Sequence, residues 1–244
     1  MESSHGAGRA DEGPIVFPDA FVEKISFMDV EDSAERLLQD YEDENGQLTY
    51  PTPVESIAEH FLGYDLEITD QGLFADPNFL GGISFETSTI FVNASVEAHE
   101  GRYTFTIAHE IGHHVLHKAI YEELIDDRTQ ILCREQKKKP LIERQADRFA
   151  AALMMPRRAL ADAECLKKLK RPTRSLPQAM KLAGKVQAEC GFSNVSLSAM
   201  VNRLKDLELI GNNIPYQTGV KWKMGRRASI RYLIESRLRR LFRL

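Results

Sequence analysis

Apolar positions recur at helical spacing in several segments of the chain, and short turns separate these segments. Residues 32–46 carry one such stripe, with Asp32 as a candidate N-cap and Gly46 as a stop. Residues 54–62 carry a second stripe, which follows two prolines and ends at Gly63. These patterns predict two amphipathic helices in the first quarter of the chain.

Three short stretches rich in β-branched and aromatic residues predict strands at 65–68, 81–86 and 89–95. The centre of the last strand, "TIFVN", allows two interpretations. It is either an exposed sheet edge that could pair with an extended peptide, or an ordinary core strand. In both cases the three stretches predict a small sheet.

Three longer amphipathic patterns predict helices at about 102–118, 141–156 and 193–211. Pro156 ends the second helix, and a cap-and-turn signature, "SNVS", begins the third. Together these elements predict an α+β fold that is mainly helical, with a small mixed β-sheet and additional C-terminal helices.

The composition is typical of a soluble globular protein, because 43% of the 244 residues are apolar and 28% are charged. No apolar run approaches the roughly 18 residues that a membrane span needs, so no transmembrane segment is predicted. The start of the chain lacks the apolar region of a secretory signal. The three cysteines are widely spaced and odd in number, which indicates reduced thiols. We therefore expect a cytoplasmic protein.

The net charge of −4 is distributed unevenly along the chain. Residues 221–244 contain nine basic residues and one acidic residue, so they carry +8 while the remainder carries −12. Apolar positions at helical spacing within them predict a basic amphipathic tail. Such a tail can bind an anionic membrane surface, a partner, or the acidic body of its own chain, and we favour the last two.

Four of the seven histidines fall within residues 104–117, "TFTIAHEIGHHVLH". On a helix, His109 and His113 point within about 40° of each other and lie about 6 Å apart along the axis, so both imidazoles can converge on one metal ion. Glu110 lies beside the pair, where it can take a proton from water. This is the H-E-x-x-H arrangement of zinc hydrolases, and neutral nitrogen ligands suit Zn²⁺.

The other two histidines of this segment have weaker patterns. His114 points away from the pair, and we expect it at the surface. His117 is expected to form a hydrogen bond near the end of the helix, where a cation is favourable.

A catalytic zinc usually has three protein ligands and one open position for water. The best third ligand is Glu143, at the start of the predicted helix 141–156. One turn later, Asp147 can accept a hydrogen bond from an imidazole N–H and so fix the tautomer of a ligand. The alternative is that both residues are exposed acids, which the helix dipole favours near a helix start.

The segments "FTIAHEIGHHVLH" and "ERQADRFAAALMMP" together resemble the ImmA/IrrE family of zinc metallopeptidases. The resemblance includes the two preceding helices and the strand "IFVNAS", so it covers roughly residues 30–157, and more loosely the last predicted helix. It implies a zincin-like metallopeptidase domain. It also implies that His109, His113 and Glu143 bind one Zn²⁺ and that Glu110 is the general base.

The known substrates of that family are transcriptional repressors, so the resemblance implies a protein substrate and site-specific cleavage of a repressor or a similar regulator. Some members carry a DNA-binding domain before the peptidase, but the first 30 residues here are too short and polar for one. The basic tail is not part of the family signature. The predicted organisation is a disordered leader (1–29), a metallopeptidase domain (30–160), a linker (161–175), a C-terminal helical segment (176–212) and the basic amphipathic tail (213–244).

A second hypothesis is a non-catalytic DNA- or partner-binding regulator. The pattern "VSLSAMVNRL" resembles the recognition helix of a helix-turn-helix, and the basic tail could contact phosphates. However, Arg203 and Lys205 in this helix are balanced by Asp206 and Glu208. DNA binding is therefore possible but not favoured.

Overall fold

A computed structural model of the protein describes residues 22–75, 79–126 and 140–217. Within these residues the predicted class, a mainly helical α+β fold with a small mixed sheet, is confirmed. The helices are α1 (Phe27–Asn45), α2 (Val54–Ser56), α3 (Ala94–Glu97), α4 (Glu100–Asp126), α5 (Leu141–Met154), α6 (Arg157–Asp162), α7 (Glu164–Lys167), α8 (Leu176–Cys190) and α9 (Leu197–Asp206). None of these described helices combines the length and apolarity that crossing a membrane requires.

The sheet contains the three strands that the sequence predicts: β1 (Asp65–Thr69), β2 (Gly81–Ser84) and β3 (Thr89–Asn93). Their order is β1-β3-β2, with β3 parallel to β1 and antiparallel to β2. The interpretation of "TIFVN" as a sheet edge is therefore wrong, because β3 is the central strand. Its apolar side chains Ile90 and Val92 are fully buried, and among the described strands β1 and β2 form the edges.

Two helices are longer than their sequence patterns predict. Helix α1 begins at Phe27 rather than at Asp32, because the Ser26 side chain accepts a hydrogen bond from the Asp29 N–H and caps the helix. Helix α4 continues to Asp126, beyond the predicted end near residue 118. The predicted helix at 54–62 consists of α2 followed by a π-helical turn, Ile57–Phe61.

The core forms where α1, α4 and α5 pack together under the inner face of the sheet. Residues Ile107, Ala108 and Ile111 of α4 are all fully buried there. Burying apolar surface of this kind provides the main driving force for folding. The strongly amphipathic α5 adds Phe149 and Leu153 to the same core.

An ion pair within the core attaches α9 to α1. The guanidinium of Arg203 faces the carboxylate of Glu31, with Nη2 2.8 Å from Oε2, and its Nε donates to the carbonyl oxygen of Met155 at 3.0 Å. Arg203 is 2% exposed and Glu31 is 1% exposed. A charge this deeply buried is tolerated because its partner and its hydrogen bonds are in place.

Several sequence predictions concern residues outside the described ranges. They include the first 21 residues of the leader, Cys133, and residues 218–244 of the basic tail. In the segment predicted to be a linker, 161–175, the structure contains the end of α6 and all of α7. The division of the chain into a leader, domains and a tail stays a prediction.

Replacing Arg203 by methionine leaves the Glu31 carboxylate buried without its cationic partner. We expect this variant to lose about 3–5 kcal/mol of unfolding free energy, measured by urea denaturation. The double variant Glu31→Leu/Arg203→Met removes both charges and should recover most of that loss. A double variant that is destabilised by the sum of the two single variants would contradict the ion-pair explanation.

Candidate metal centre

The contact between α4 and α5 depends on a glycine. A Cβ atom at Gly112 would lie 3.1 Å from Cα of Ala146 and 3.2 Å from Cβ of Phe149. These separations are shorter than ordinary carbon contacts, so the two helices can approach this closely only because position 112 has no side chain. The approach brings the histidine face of α4 against the first turns of α5.

Three side chains converge at this contact: His109 and His113 from α4 and Glu143 from α5. The two histidine Nε2 atoms lie 3.0 Å apart. The carboxylate oxygens of Glu143 lie 3.2 Å from Nε2 of His109 and 3.3 Å from Nε2 of His113. Zinc bonds of about 2 Å at a tetrahedral angle place two donor atoms about 3.3 Å apart. The donor set therefore fits a metal ion of this size.

The charges around the three donors favour a cation. Burial lowers the pKa of His109, but hydrogen bonds to the Asp147 and Glu143 carboxylates outweigh burial and raise this pKa to about 10. Burial raises the pKa of Glu143, but its contacts with His109 and His113 outweigh burial and hold this pKa well below its usual range. A metal ion entering the site would take the place of the proton on the imidazole.

Asp147 lies where an outer partner of a metal ligand is expected. Its Oδ1 is 3.0 Å from Nδ1 of His109, so an Nδ1–H donates to the carboxylate and Nε2 keeps its lone pair for a metal. The side chains of Asp147 and Glu143 are 15% and 37% exposed, and both contact imidazoles. The alternative, that both residues are exposed acids favoured only by the helix dipole, does not account for these contacts.

Glu110 lies beside the donor set and is not one of the three converging residues. It is 5% exposed, and its negative charge contributes to the raised pKa of His109. The start of β2 lies against it: a Cβ atom at Gly81 would be 3.1 Å from Oε1 of Glu110. The edge strand and the carboxylate are therefore immediate neighbours.

The prediction that His117 lies near a helix end as a cation is wrong. Helix α4 continues for more than two turns beyond it, and the side chain is fully buried. Its Nδ1 is 3.1 Å from Nδ1 of His113, and its Nε2 is 3.0 Å from Oε1 of Gln145. Burial and the neighbouring His113 lower the pKa of His117 to about 4. In the sequence, the four-residue spacing between His113 and His117 was the signal for this contact.

Two further side chains near the site differ from the expectation or were not predicted. His114, expected at the surface, is half-buried, and its Nδ1 lies 2.8 Å from the Tyr64 hydroxyl. Tyr121 packs edge-on against Phe85, with ring centroids 4.9 Å apart. Burial, followed by the charges of Glu110 and Glu143, raises the pKa of Tyr121, so its phenol remains protonated.

Comparison with known families gives one match. The family model of Peptidase_M78, described as the IrrE N-terminal-like domain, matches residues 46–181, more than half of the chain. The matched region begins after α1, ends within α8, and includes the sheet and both site helices. None of the curated proteins compared with the chain matches it.

Replacing Gly112 by valine should push α5 away from α4 and separate Glu143 from the two histidines. We expect this variant to bind zinc much more weakly than the wild type in a competition titration with a chromogenic chelator. Gly184→Val is the matched control, because a Cβ atom at this helical glycine would meet only a Leu197 methyl at 3.5 Å. Equal zinc affinity of the wild type and Gly112→Val would contradict the role of the close contact.

Proposed function

Because the chain belongs to the IrrE N-terminal-like domain family of peptidases, we propose that it is a zinc-dependent endopeptidase. His109, His113 and Glu143 bind one Zn²⁺, and Glu110 is the general base. Asp147 orients His109. The family supports a metallopeptidase-type activity, and the choice of zinc rests on the donor set, since two imidazoles and one carboxylate are typical ligands of a catalytic zinc.

The observation that carries this proposal is the convergence of the three donor atoms across two helices. Separations of 3.0–3.3 Å between donors suit one ion bound to all three side chains. Zinc held by three protein ligands supplies Lewis acidity, which polarises a peptide carbonyl and lowers the pKa of a water molecule. The proton transfer is carried out by a side chain of the protein.

Glu110 moves the proton in this proposal. Its carboxylate takes a proton from the attacking water and returns it to the amine that leaves when the peptide bond breaks. Its burial beside the ligand pair excludes bulk water from the carboxylate. The negative charge of Glu110 also contributes to the raised pKa of Tyr121, whose phenol remains protonated.

The substrate backbone has a candidate binding strand in β2. Among the described residues β2 pairs with β3 alone, so its other edge could accept an extended peptide as an additional strand. Gly81 places this strand against Glu110, so a peptide paired with β2 would pass the general base. This assignment replaces the earlier hypothesis that β3 binds the substrate.

A regulatory protein is the substrate class that we propose, with site-specific cleavage of a transcriptional repressor as the specific form. A cytoplasmic location fits such a substrate. It also agrees with Cys165 and Cys190, which are free thiols.

The alternative, a non-catalytic DNA- or partner-binding regulator, depends on α9 and the basic tail. Arg203 of α9 is buried against Glu31 and is not available to contact a phosphate. Most of the tail lies outside the described residues. The two functions respond differently in solution, because duplex binding weakens steeply with salt, whereas metal-dependent proteolysis is lost with a chelator.

The variant Glu110→Gln keeps the size of the side chain and removes the proton acceptor. We expect it to bind zinc like the wild type and to cleave a co-purified repressor about 10²–10⁴ times more slowly. Cleavage is measured as the appearance of the fragment on a gel. Glu122→Gln, at an exposed position of the same helix, is the control and should keep full activity. Cleavage by Glu110→Gln at the wild-type rate would remove Glu110 from this role.

A further inference from the structure

The ligand His113 has a buried partner on its own helix. Its Nδ1 lies 3.1 Å from Nδ1 of His117. His113 is 6% exposed and His117 is fully buried, so water does not compete for this contact. The partner of the other ligand histidine, His109, is the carboxylate of Asp147. The two ligand histidines therefore have outer partners of different chemistry.

Gln145 determines which nitrogen of His117 carries the hydrogen. The amide Nε2 of Gln145 donates to the carbonyl oxygen of Glu23 at 2.8 Å, and a carbonyl oxygen can only accept. Oε1 of Gln145 must therefore face His117, where it lies 3.0 Å from Nε2. Since Oε1 is also only an acceptor, Nε2 of His117 carries the hydrogen.

The remaining nitrogen of His117 then accepts a hydrogen bond from His113. When Nε2 of His113 binds a metal, the hydrogen of that imidazole is on Nδ1, which faces the unprotonated Nδ1 of His117. The chain of donors has one consistent direction, from His113 through His117 and Gln145 to the backbone at Glu23. Moving the hydrogen of either imidazole to its other ring nitrogen would place two N–H groups, or two acceptors, against each other.

We propose that His117, held in one tautomer by Gln145, is a positioning residue that orients His113 for metal binding; this inference rests on the proposed metal site. The carboxylates of Glu143, Asp147 and Glu110 already place negative charge around the site. A neutral imidazole fixes the second ligand without adding another negative charge, which would weaken the Lewis acidity of the ion.

Two substitutions of nearly equal shape test the hydrogen bond. In His117→Asn the amide oxygen lies about where Nδ1 of the imidazole lies, so an acceptor for His113 is kept. In His117→Leu the side chain has a similar size and no acceptor. We expect the leucine variant to bind zinc about 10–100 times more weakly than the wild type, and the asparagine variant to retain most of the affinity. Competition titration with a chromogenic chelator measures the affinity.

The controls separate positioning from general stability. His114→Leu changes the neighbouring histidine, which contacts Tyr64 and no proposed ligand, and should leave the zinc affinity unchanged. Gln145→Met removes the acceptor that sets the tautomer of His117 and should weaken zinc binding in the same direction as His117→Leu. Long-range ¹H–¹⁵N spectra of the wild-type zinc protein should show His117 neutral, with its hydrogen on Nε2. This readout needs no variant to fold.

Equal zinc affinities of His117→Asn and His117→Leu would overturn the inference, as would a hydrogen on Nδ1 of His117 in the zinc-bound protein. Neither result would affect the peptidase proposal. Conversely, a wild-type protein that binds zinc in the expected way but cleaves no repressor would contradict the proposed activity, and the comparison of the two variants would still decide the role of His117.

Discussion

The close packing of α4 against α5 at Gly112 is the contact on which the rest of the site depends. Each helix alone offers an incomplete set of donors: two imidazoles on one and a carboxylate on the other. Because Gly112 lies against Ala146, the helix backbones approach closely enough for all three side chains to reach one point. The apolar core beneath them, rather than the polar groups themselves, holds the two helices at this separation.

Close contacts and buried hydrogen bonds connect the site to the surrounding elements. On one side, Gly81 lets the edge strand β2 lie against Thr106 and Glu110 of α4. On the other side, Gln145 connects the imidazole of His117 to the backbone at Glu23, just before α1. Side chains that are held by such contacts lose little further entropy when a ligand binds, which favours a preorganised site. The structure thus fixes the orientation of the donors as well as their distance.

Helical spacing predicts α1, α4, α5 and α9, and it places His109 and His113 on one face. The three strands are predicted as well, whereas the 15-residue helix α8 (Leu176–Cys190) has no individual prediction. The sequence also identifies Glu143 and Asp147 as candidates, since a carboxylate one turn before another is a local pattern. Properties that depend on tertiary contacts could not be predicted. Strand order made β3 central, and the length of α4 turned His117 from a helix-end residue into a buried residue within hydrogen-bond distance of His113. The four-residue spacing shows only that His113 and His117 share a helix face, and no local pattern gives the strand order or the end of α4.

Metal content tests the central claim most directly. The wild type and Glu143→Ala should be purified in parallel, equilibrated with zinc, passed through gel filtration and examined by elemental analysis. If the three side chains form one site, the wild type will retain about one zinc ion per chain, and the variant, with two ligands left, will retain far less. Equal retention of zinc by both proteins, or no zinc in the wild type, would contradict the account.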